Sequence, residues 1–244
     1  MARSVYGIIG YPLGHSFSPA YFNRKFRAWG IDAAYNAYPL ATVSEFPGLL
    51  LSEPDLRGLS VTIPYKKAII PLLDSLDAVA EEVGAVNCIA VQNGKTRGYN
   101  TDVIGFSNSL APLLEPHHQK ALVLGNGGAA GAVKWGLSHL GISYQTVSRT
   151  KAPGLLSYED VTTDSLAENL LIINTTPLGM YPNADGLPPL PYTSVTSRHL
   201  LFDLVYNPAE TRFLAEGRVR SAKTRNGLEM LEIQAEEAWK IWNS

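Results

Sequence analysis

The chain has few of the residues that build metal centres and disulfide frameworks. Its 244 residues include 1 cysteine, Cys88, which excludes an internal disulfide and a metal site built from several cysteines. The 5 histidines show no spacing typical of metal ligands, so no metal is predicted, and His117-His118 is expected in a solvated linker. The net charge is only -2, so the chain lacks the basic surface that nucleic acid or an anionic membrane would require.

Long apolar runs are also missing. No hydrophobic stretch approaches the roughly 20 residues that cross a membrane as a helix. The charged start at Arg3 is followed by too short an apolar run for a signal peptide, so we expect a cytoplasmic protein. Hydrophobic residues nevertheless make up 45% of the chain, which is ordinary for a globular protein, and 244 residues allow one large domain or two modest ones.

A glycine-rich stretch over residues 121–131 is the strongest single signal in the sequence. An apolar strand leads into the spacing Gly125-x-Gly127-x-x-Ala130, and an apolar helix follows from about Ala129. This is the dinucleotide-binding fingerprint in its G-x-G-x-x-A form, in which the glycines allow a tight turn and close approach of a pyrophosphate. Free N–H groups at the helix start would face the phosphates. A bare glycine-rich turn is the alternative, and the flanking strand and helix favour the fingerprint.

Strands and helices alternate over the amino-terminal half, which predicts an α/β sandwich with a mixed sheet. The predicted strands are residues 5–10, 34–38, 56–63, 85–91 and 95–99, with a hairpin signal, Asn93-Gly94, between the last two. Helices are expected from Ser18, as the N-cap before Pro19, to Gly30, over residues 43–51, and over residues 68–82 with a break near Asp74.

Polar side chains collect where these predicted strands end. They are Ser16 and Ser18 after the first strand, Thr62 and Lys66 after the third, Asn87 at the hairpin start and Asn100-Thr101-Asp102 at its end. In an open α/β sheet such ends line the ligand crevice. Hydroxyls and amides with one lysine and one aspartate suit a small polyhydroxylated acid, because they can pair its polar groups and move a proton. Each residue also has a local alternative, such as a cap, a turn or a solvated lysine, and the repeated placement favours a site.

The sequence resembles the shikimate dehydrogenase family in a series of separate blocks, whose order along the chain is more specific than any one of them. The blocks are Gly14-His-Ser16-Phe-Ser18-Pro19, Ser60-Val-Thr62-Ile-Pro64-Tyr-Lys66, Gly84-Ala-Val-Asn87, Gly98-Tyr-Asn100-Thr-Asp102-Val-Ile-Gly105, residues 125–131, Asn174-Thr-Thr-Pro177-Leu-Gly-Met180, Asp203-Leu-Val-Tyr206-Asn-Pro208 and Asn226-Gly-Leu-Glu-Met-Leu-Glu-Ile-Gln234. The resemblance implies two lobes, a discontinuous α/β substrate domain with a mixed sheet (residues 1–103 and 227–244) and a Rossmann-type dinucleotide-binding domain (residues 104–226).

The resemblance also implies an activity and a role for each matching residue. The activity is the reversible NADP-dependent reduction of 3-dehydroshikimate to shikimate, a step of chorismate and aromatic amino acid biosynthesis. Lys66 and Asp102 would be the catalytic pair. Ser16, Ser18 and Tyr206 would bind the substrate carboxylate, and Thr62, Asn87 and Gln234 its hydroxyls. The cofactor-binding residues would be Gly125, Asn126, Gly127, Gly128, Ala129, Ser148, Arg149, Thr150, Thr175, Met180 and Gly227.

The residues after the second strand of the cofactor domain favour NADP over NAD. An NAD enzyme usually has an acid about 20 residues past the glycines to hold the ribose 2′-hydroxyl. Here Arg149 and Thr150 follow the strand 144–148, and a guanidinium with a hydroxyl suits a 2′-phosphate. The sequence departs from the family at Ser148, where asparagine is usual. It also departs at Lys151, because the family has a further arginine after the threonine.

The remaining elements are predicted from residues that break helices and from the spacing of apolar residues. Pro153, Gly154 and Thr162-Thr163 disfavour a helix, so we expect a shortened and mostly irregular crossover between residues 151 and 169. Strands are expected at residues 170–174, 200–204 and 222–225, a short helix at 211–215 and a final helix at 228–242.

Other functions stay open on the sequence alone. A relative that accepts quinate with NAD or NADP would use the same machinery. A folate-linked methylene dehydrogenase has two lobes and a catalytic lysine, but the paired serines argue against it. A ligand sensor without activity is the third alternative, which Lys66 and Asp102 disfavour. The chain is expected to be a monomer or a homodimer that binds a small molecule, with no nucleic acid or membrane partner.

Overall fold

The computed structural model describes residues 3–14 and 17–244, so the predicted carboxylate ligand Ser16 lies outside the described residues. The chain divides into two compact units, Met1–Thr101 with Ala235–Ser244, and Asp102–Gln234. This division does not show what either unit binds, so the substrate and cofactor domains stay predictions. Along the described ranges, no helix is long and apolar enough to cross a membrane.

The first unit is built on a mixed sheet, as predicted. Its strands are β1 Ser4–Gly10, β2 Ala33–Pro39, β3 Leu56–Val61, β4 Ser75–Leu76, β5 Cys88–Gln92 and β6 Lys95–Tyr99, in the order β2-β1-β3-β5-β6-β4. β1 is parallel to both β2 and β3, whereas β5 is antiparallel to β3 and to β6. The hairpin prediction is confirmed, because Asn93 and Gly94 between β5 and β6 both have positive φ, 52° and 73°.

Helices of the first unit pack on this sheet through aromatic side chains. They are α1 Phe17–Trp29, α2 Phe46–Ser52 and α3 Ala78–Val83. Phe22 and Phe26 of α1 are buried. The Phe22 ring contacts that of Trp242, and the Phe26 ring contacts that of Trp239. The Trp242 indole donates a hydrogen bond to the Ile89 carbonyl at 3.0 Å. The predicted start of α1 is corrected: the helix begins at Phe17, so Ser18 lies inside its first turn and is not the N-cap.

The predicted helix over residues 68–82 is wrong in its first half. Residues 66–69 form turns, Ile70–Leu72 is a short 3-10 helix, and Ser75–Leu76 becomes a strand paired with β6. Pro71 cannot donate the backbone hydrogen bond that a helix interior needs. The Asp74 carboxylate also accepts from the Thr96 N–H and hydroxyl, each at 2.9 Å, which holds this segment against β6. Only α3 remains helical, with Asp77 as its N-cap.

The second unit is a doubly wound parallel sheet of the Rossmann type. Its strands are β7 Lys120–Leu124, β8 Ser143–Ser148, β9 Leu155–Ser157, β10 Leu171–Asn174, β11 Leu200–Asp203 and β12 Lys223–Arg225, in the order β12-β11-β10-β7-β8-β9. Its helices are α4 Asp102–Leu110, α5 Gly128–His139, α6 Thr163–Glu168 and α7 Arg212–Arg218. The final helix, α8 Leu228–Trp242, has the predicted bounds, and its residues from Ala235 onward belong to the first unit. The chain runs outward from β7 to β9 and returns to β10 beside β7, so the carboxyl ends of β7 and β10 flank the point where ligands bind in such sheets.

The crossover after β8 is short but less irregular than predicted. Residues 155–157 form strand β9, which is parallel to β8. Thr162 does not oppose helix α6; its hydroxyl caps that helix by accepting from the Ser165 N–H at 3.3 Å. Leu166 of α6 is fully buried, so tertiary packing supports a helix of less than two turns.

The prediction that His118 is solvated is also wrong. Its side chain is buried, its Nδ1 accepts from the Glu115 N–H at 2.9 Å, and its Nε2 lies 3.0 Å from the Arg198 carbonyl. An Nδ1 that accepts leaves the proton on Nε2, which then donates to Arg198. Burial lowers the pKa of His118, so the ring is a neutral structural group.

Candidate active site and cofactor site

In the first unit, backbone hydrogen bonds bring three of the predicted polar segments to one edge of the sheet. The Val61 N–H, at the end of β3, donates to the Asn87 carbonyl at 2.8 Å, and the Asn87 N–H donates to the Tyr99 carbonyl at 3.0 Å. Thr62 follows Val61 and Asn100 follows Tyr99 in the chain, so both lie beside Asn87. The predicted convergence of strand ends is therefore observed for these residues.

Asn87 also holds the end of the hairpin in place. It is 4% exposed, and its Oδ1 accepts from the Thr101 N–H at 2.7 Å while its Nδ2 donates to the Thr101 hydroxyl at 3.0 Å. Asn100 is fixed in turn by a bond from its Nδ2 to the Ala85 carbonyl at 2.9 Å. These bonds set the position of Thr101, after which Asp102 begins α4, where a helix N-terminus favours a negative charge.

Lys66 lies in a turn that is anchored on both sides. Tyr65 is buried and its hydroxyl donates to the Leu40 carbonyl at 2.7 Å, and Ile69 is fully buried. The Lys66 carbonyl accepts from the Val86 N–H at 2.7 Å, which ties this turn to the residue before Asn87. The Lys66 side chain is half-buried, whereas its neighbour Lys67 is exposed. The backbone at Lys66 is thus held rigidly beside the edge that carries Asn87 and Thr62.

The remaining predicted substrate residues are placed by other elements. Ser18, in the first turn of α1, is buried. Gln234 on α8 is 9% exposed, and its Nε2 donates to the Leu231 carbonyl at 2.9 Å. Tyr206 follows β11 and is half-buried, and this burial raises its pKa.

In the second unit, the glycine loop has the geometry that the fingerprint requires. Gly125 has a φ of +104°, and a Cβ there would lie 2.8 Å from the Thr175 hydroxyl, so the position needs glycine. Gly127 has open space where its Cβ would project, α5 begins at Gly128, and Ala130 is fully buried. Open space beside backbone N–H groups at a helix start suits a phosphate, so the residues present fit a dinucleotide.

Thr175 and Gly227 owe their places to backbone packing at the same end of the second sheet. The Thr175 N–H and hydroxyl both donate to the Leu124 carbonyl, at 2.9 and 2.7 Å, which binds the end of β10 to the end of β7. A Cβ on Gly227 would lie 2.1 Å from the Leu204 carbonyl oxygen, so glycine is required there by packing. Met180 is 43% exposed in the loop after β10.

The end of β8 carries the residues predicted to select the cofactor. Ser148 is half-buried, Arg149 and Thr150 are exposed, and the Ser148 hydroxyl accepts from the Thr150 N–H at 3.3 Å. Lys151 forms an ion pair with Asp160 at 3.6 Å. The charge of Lys151 is therefore partly compensated by Asp160.

Comparison with known proteins identifies the family. Residues 8–89 match the family model described as the shikimate dehydrogenase substrate binding domain. A shikimate dehydrogenase (NADP(+)) of Oleidesulfovibrio alaskensis is 42% identical over 252 residues, covering 98% of this chain and 90% of that protein. The chain belongs to the shikimate dehydrogenase family.

Solved structures of the family share the fold over almost the whole chain. The crystal structure of shikimate dehydrogenase from Aquifex aeolicus has a TM-score of 0.87 at 36% identity and covers 98% of this chain and 92% of its own. The shikimate 5-dehydrogenase of Thermus thermophilus, solved in complex with NADP(H) and shikimate, has a TM-score of 0.87 at 31% identity and covers 98% of this chain and 93% of its own. The two-lobed α/β architecture implied by the sequence blocks is confirmed.

A buried hydrogen-bond network around Asp203 links residues of two motif blocks, and the sequence analysis did not predict it. Asp203, at the end of β11, is fully buried, and its carboxylate accepts from the Thr211 hydroxyl at 2.6 Å and from the Val205 N–H and the Asn174 amide at 3.0 Å each. Burial raises its pKa to about 6. The Asn174 Oδ1 in turn accepts from the Thr176 N–H and hydroxyl. This network orders the loops that carry Thr175, Met180 and Tyr206, and only the recurrence of Asp203 in a motif block could have indicated it.

Among residues 3–14 and 17–244, no group of three or more histidine, cysteine, aspartate or glutamate side chains is placed to hold a metal ion.

Proposed function

We propose that the protein catalyses the reversible NADP-dependent reduction of 3-dehydroshikimate to shikimate, a step of chorismate and aromatic amino acid biosynthesis. The observation that carries the proposal is the hydrogen-bonded edge of the first sheet. There the Lys66 turn is tied to Val86, Asn87 is tied to Thr101, and Asp102 follows Thr101 directly. Lysine and aspartate are residue types that can move a proton, and a hydroxyl and an amide suit a polyhydroxylated ligand.

The chemistry requires a donor at the substrate oxygen. The reduced nicotinamide, when bound, supplies the hydride. Negative charge develops on the ketone oxygen as it becomes an alkoxide, and Lys66 stabilises that charge and gives the proton. Asp102 orients the Lys66 ammonium and shares its hydrogen-bond network. In the direction of shikimate oxidation the same pair takes the hydroxyl proton away.

Substrate orientation is assigned to the polar residues at the strand ends and on α8. Ser16, Ser18 and Tyr206 bind the carboxylate, and Thr62, Asn87 and Gln234 hold the ring hydroxyls. A solved structure of the family supports the ligand pair, since the Thermus thermophilus shikimate 5-dehydrogenase was solved in complex with NADP(H) and shikimate.

The cofactor is assigned to the second unit. The pyrophosphate lies on the loop Gly125, Asn126, Gly127, Gly128 and Ala129, where the space beside Gly127 is open. Ser148, Arg149 and Thr150 hold the adenosine ribose and its 2′-phosphate. Thr175, Met180 and Gly227 line the nicotinamide end. The name of the Oleidesulfovibrio alaskensis relative, shikimate dehydrogenase (NADP(+)), supports this choice of cofactor.

Cellular context and assembly are part of the same proposal. We assign the protein to the cytoplasm, as a monomer or homodimer whose partners are small molecules. The net charge of -2 gives no support to a nucleic-acid partner.

The experiment is a matrix of initial rates with the purified protein. Shikimate or quinate is combined with NADP or NAD, and reduced nicotinamide is followed by absorbance. The proposal expects the highest kcat/KM for shikimate with NADP. A higher kcat/KM for quinate would contradict the substrate, and a higher value with NAD would contradict the cofactor. No absorbance change in any of the combinations would contradict an enzyme and favour a ligand sensor.

A further inference from the structure

Lys134, on helix α5, is a half-buried lysine whose side chain returns to the glycine loop. Its Nζ donates a hydrogen bond to Asn126 Oδ1 at 2.5 Å, although the two residues are 8 positions apart in the chain. Asn126 is one of the loop residues that the proposed function assigns to the cofactor. An ammonium group therefore lies beside the loop that is proposed to hold the pyrophosphate.

The sequence of α5 allows this lysine to reach back over the first turns of the helix. The helix begins at Gly128, so Lys134 lies about 9 Å further along its axis. Side chains on a helix tilt towards its N-terminus and lie over the residues three and four positions earlier. For Lys134 these are Gly131, which has no side chain, and Ala130, which is fully buried. Both add little volume to the surface, so a long side chain can cross them to the loop.

The stability of the helix does not account for this position of the charge. The N-terminus of a helix carries partial positive charge, so a cation brought back to it is unfavourable until an anion is present. The first turn of α5 has no acidic residue, and the sequence from Ala121 to Val133 has no charged residue. Lys134 is thus the first charged residue after the loop. A bound pyrophosphate would supply the anion that favours an ammonium group at this end of the helix.

We propose that Lys134 is a further cofactor-binding residue, whose ammonium group stabilises the negative charge of the pyrophosphate on the glycine loop. The inference rests on the cofactor site of the proposed function and adds a cation to it. The bond to Asn126 holds the ammonium group near the loop before the cofactor binds, which reduces the entropy lost on binding. Because NADP and NAD share the pyrophosphate, Lys134 contributes to the affinity for both, whereas Arg149 is assigned to the 2′-phosphate of NADP.

The test is Lys134→Met, which keeps most of the side-chain length and removes the charge. Calorimetry gives the Kd for NADP, for NAD and for adenosine 2′-monophosphate, which carries the 2′-phosphate but no pyrophosphate. The Kd for NADP and for NAD should rise by the same factor, about fivefold, and that for adenosine 2′-monophosphate should stay within about twofold. Lys134→Arg restores the positive charge and should recover most of the affinity. Because salt screens charges near the surface, the difference between wild type and Lys134→Met should shrink as KCl is raised.

Lys120→Met is the matched control for loss of a lysine from the same unit. Lys120 begins β7, at the opposite end of that strand from the glycine loop, and forms an ion pair with Glu168 at 3.1 Å. This variant should bind all three nucleotides as the wild type does.

Two results for a folded Lys134→Met variant overturn the inference. One is an unchanged Kd for both dinucleotides. The other is equal weakening of all three nucleotides, which would indicate general damage to the unit. A wild-type protein that binds NADP and NAD but does not oxidise shikimate would contradict the proposed reaction and leave this inference intact. A wild-type protein that binds neither dinucleotide would contradict both.

Discussion

The buried carboxylate of Asp203 gives this protein a specific dependence of stability on pH. Burial raises its pKa in the folded state to about 6, against 3.8 for an ordinary aspartate. Between these two values the folded protein retains a proton that the unfolded chain has lost, so the free energy of unfolding falls as pH rises towards 6 and is constant above it. The full contribution of this group is about 3 kcal/mol, of which about 1.4 kcal/mol falls between pH 5 and pH 7.5.

The variant Asp203→Asn keeps the shape of the side chain and removes the carboxyl group that titrates. Urea unfolding of both proteins at pH 5 and pH 7.5 gives the difference in unfolding free energy at each pH. Subtracting wild type from variant cancels the titration of all other groups. The difference should shift in favour of the variant by about 1.4 kcal/mol from pH 5 to pH 7.5.

The control for this pH dependence is an aspartate whose pKa is lowered instead of raised. Asp74→Asn is the control, because hydrogen bonds from Lys95 and Thr96 lower the pKa of Asp74 to about 2, and such a group is ionised in both states over this pH range. Its difference from wild type should therefore be the same at pH 5 and pH 7.5. A pH-independent difference for Asp203→Asn, or a shift in favour of the wild type, would refute the reasoning.

Two further predictions concern the second unit. Gly125→Ala should lower the unfolding free energy by about 1–3 kcal/mol, since the residue has a φ of +104° and its Cβ would lie 2.8 Å from the Thr175 hydroxyl; unchanged urea unfolding would contradict this. Arg149→Glu should raise the KM for NADP about tenfold while changing the KM for NAD far less, because a carboxylate repels the 2′-phosphate that only NADP carries. Equal effects on both cofactors in initial-rate measurements would show that Arg149 does not read the phosphate.

Elements with local signals were predicted well from the sequence. The final helix was placed at its observed bounds, Leu228–Trp242, because Asn226-Gly227 marks its start and its apolar residues recur at helical spacing. The hairpin was found because Asn93-Gly94 tolerates two positive φ angles in succession. The glycine loop was found for the same reason: Gly125 must adopt a conformation that other residues avoid.

Elements decided by distant residues were predicted poorly. The segment after Lys66 has helical periodicity, but bonds from Asp74 to Thr96, 22 positions away, convert it to turns and a short strand. His118 is buried where its Nε2–H donates a hydrogen bond to the carbonyl of Arg198, 80 positions away. No local pattern encodes such partners.

The candidate site shows the same division. Motif blocks indicated Thr62, Lys66, Asn87 and Asp102, and the hydrogen bonds around Asn87 bring the first three segments together. The networks behind the site depend on residues from separate strands and helices, as with Tyr35 and Ser60, which are 25 positions apart. These supporting residues could be found only from the fold.

The central claim is that Lys66 moves the proton in a hydride transfer to and from NADP. Its most direct test is the kcat for shikimate oxidation by Lys66→Ala, with NADP affinity measured in parallel and the exposed neighbour variant Lys67→Ala as control. The account predicts that Lys66→Ala loses about a hundredfold or more in kcat while it binds NADP as the wild type does, and that Lys67→Ala keeps near-normal turnover. Near-normal turnover in Lys66→Ala would contradict it.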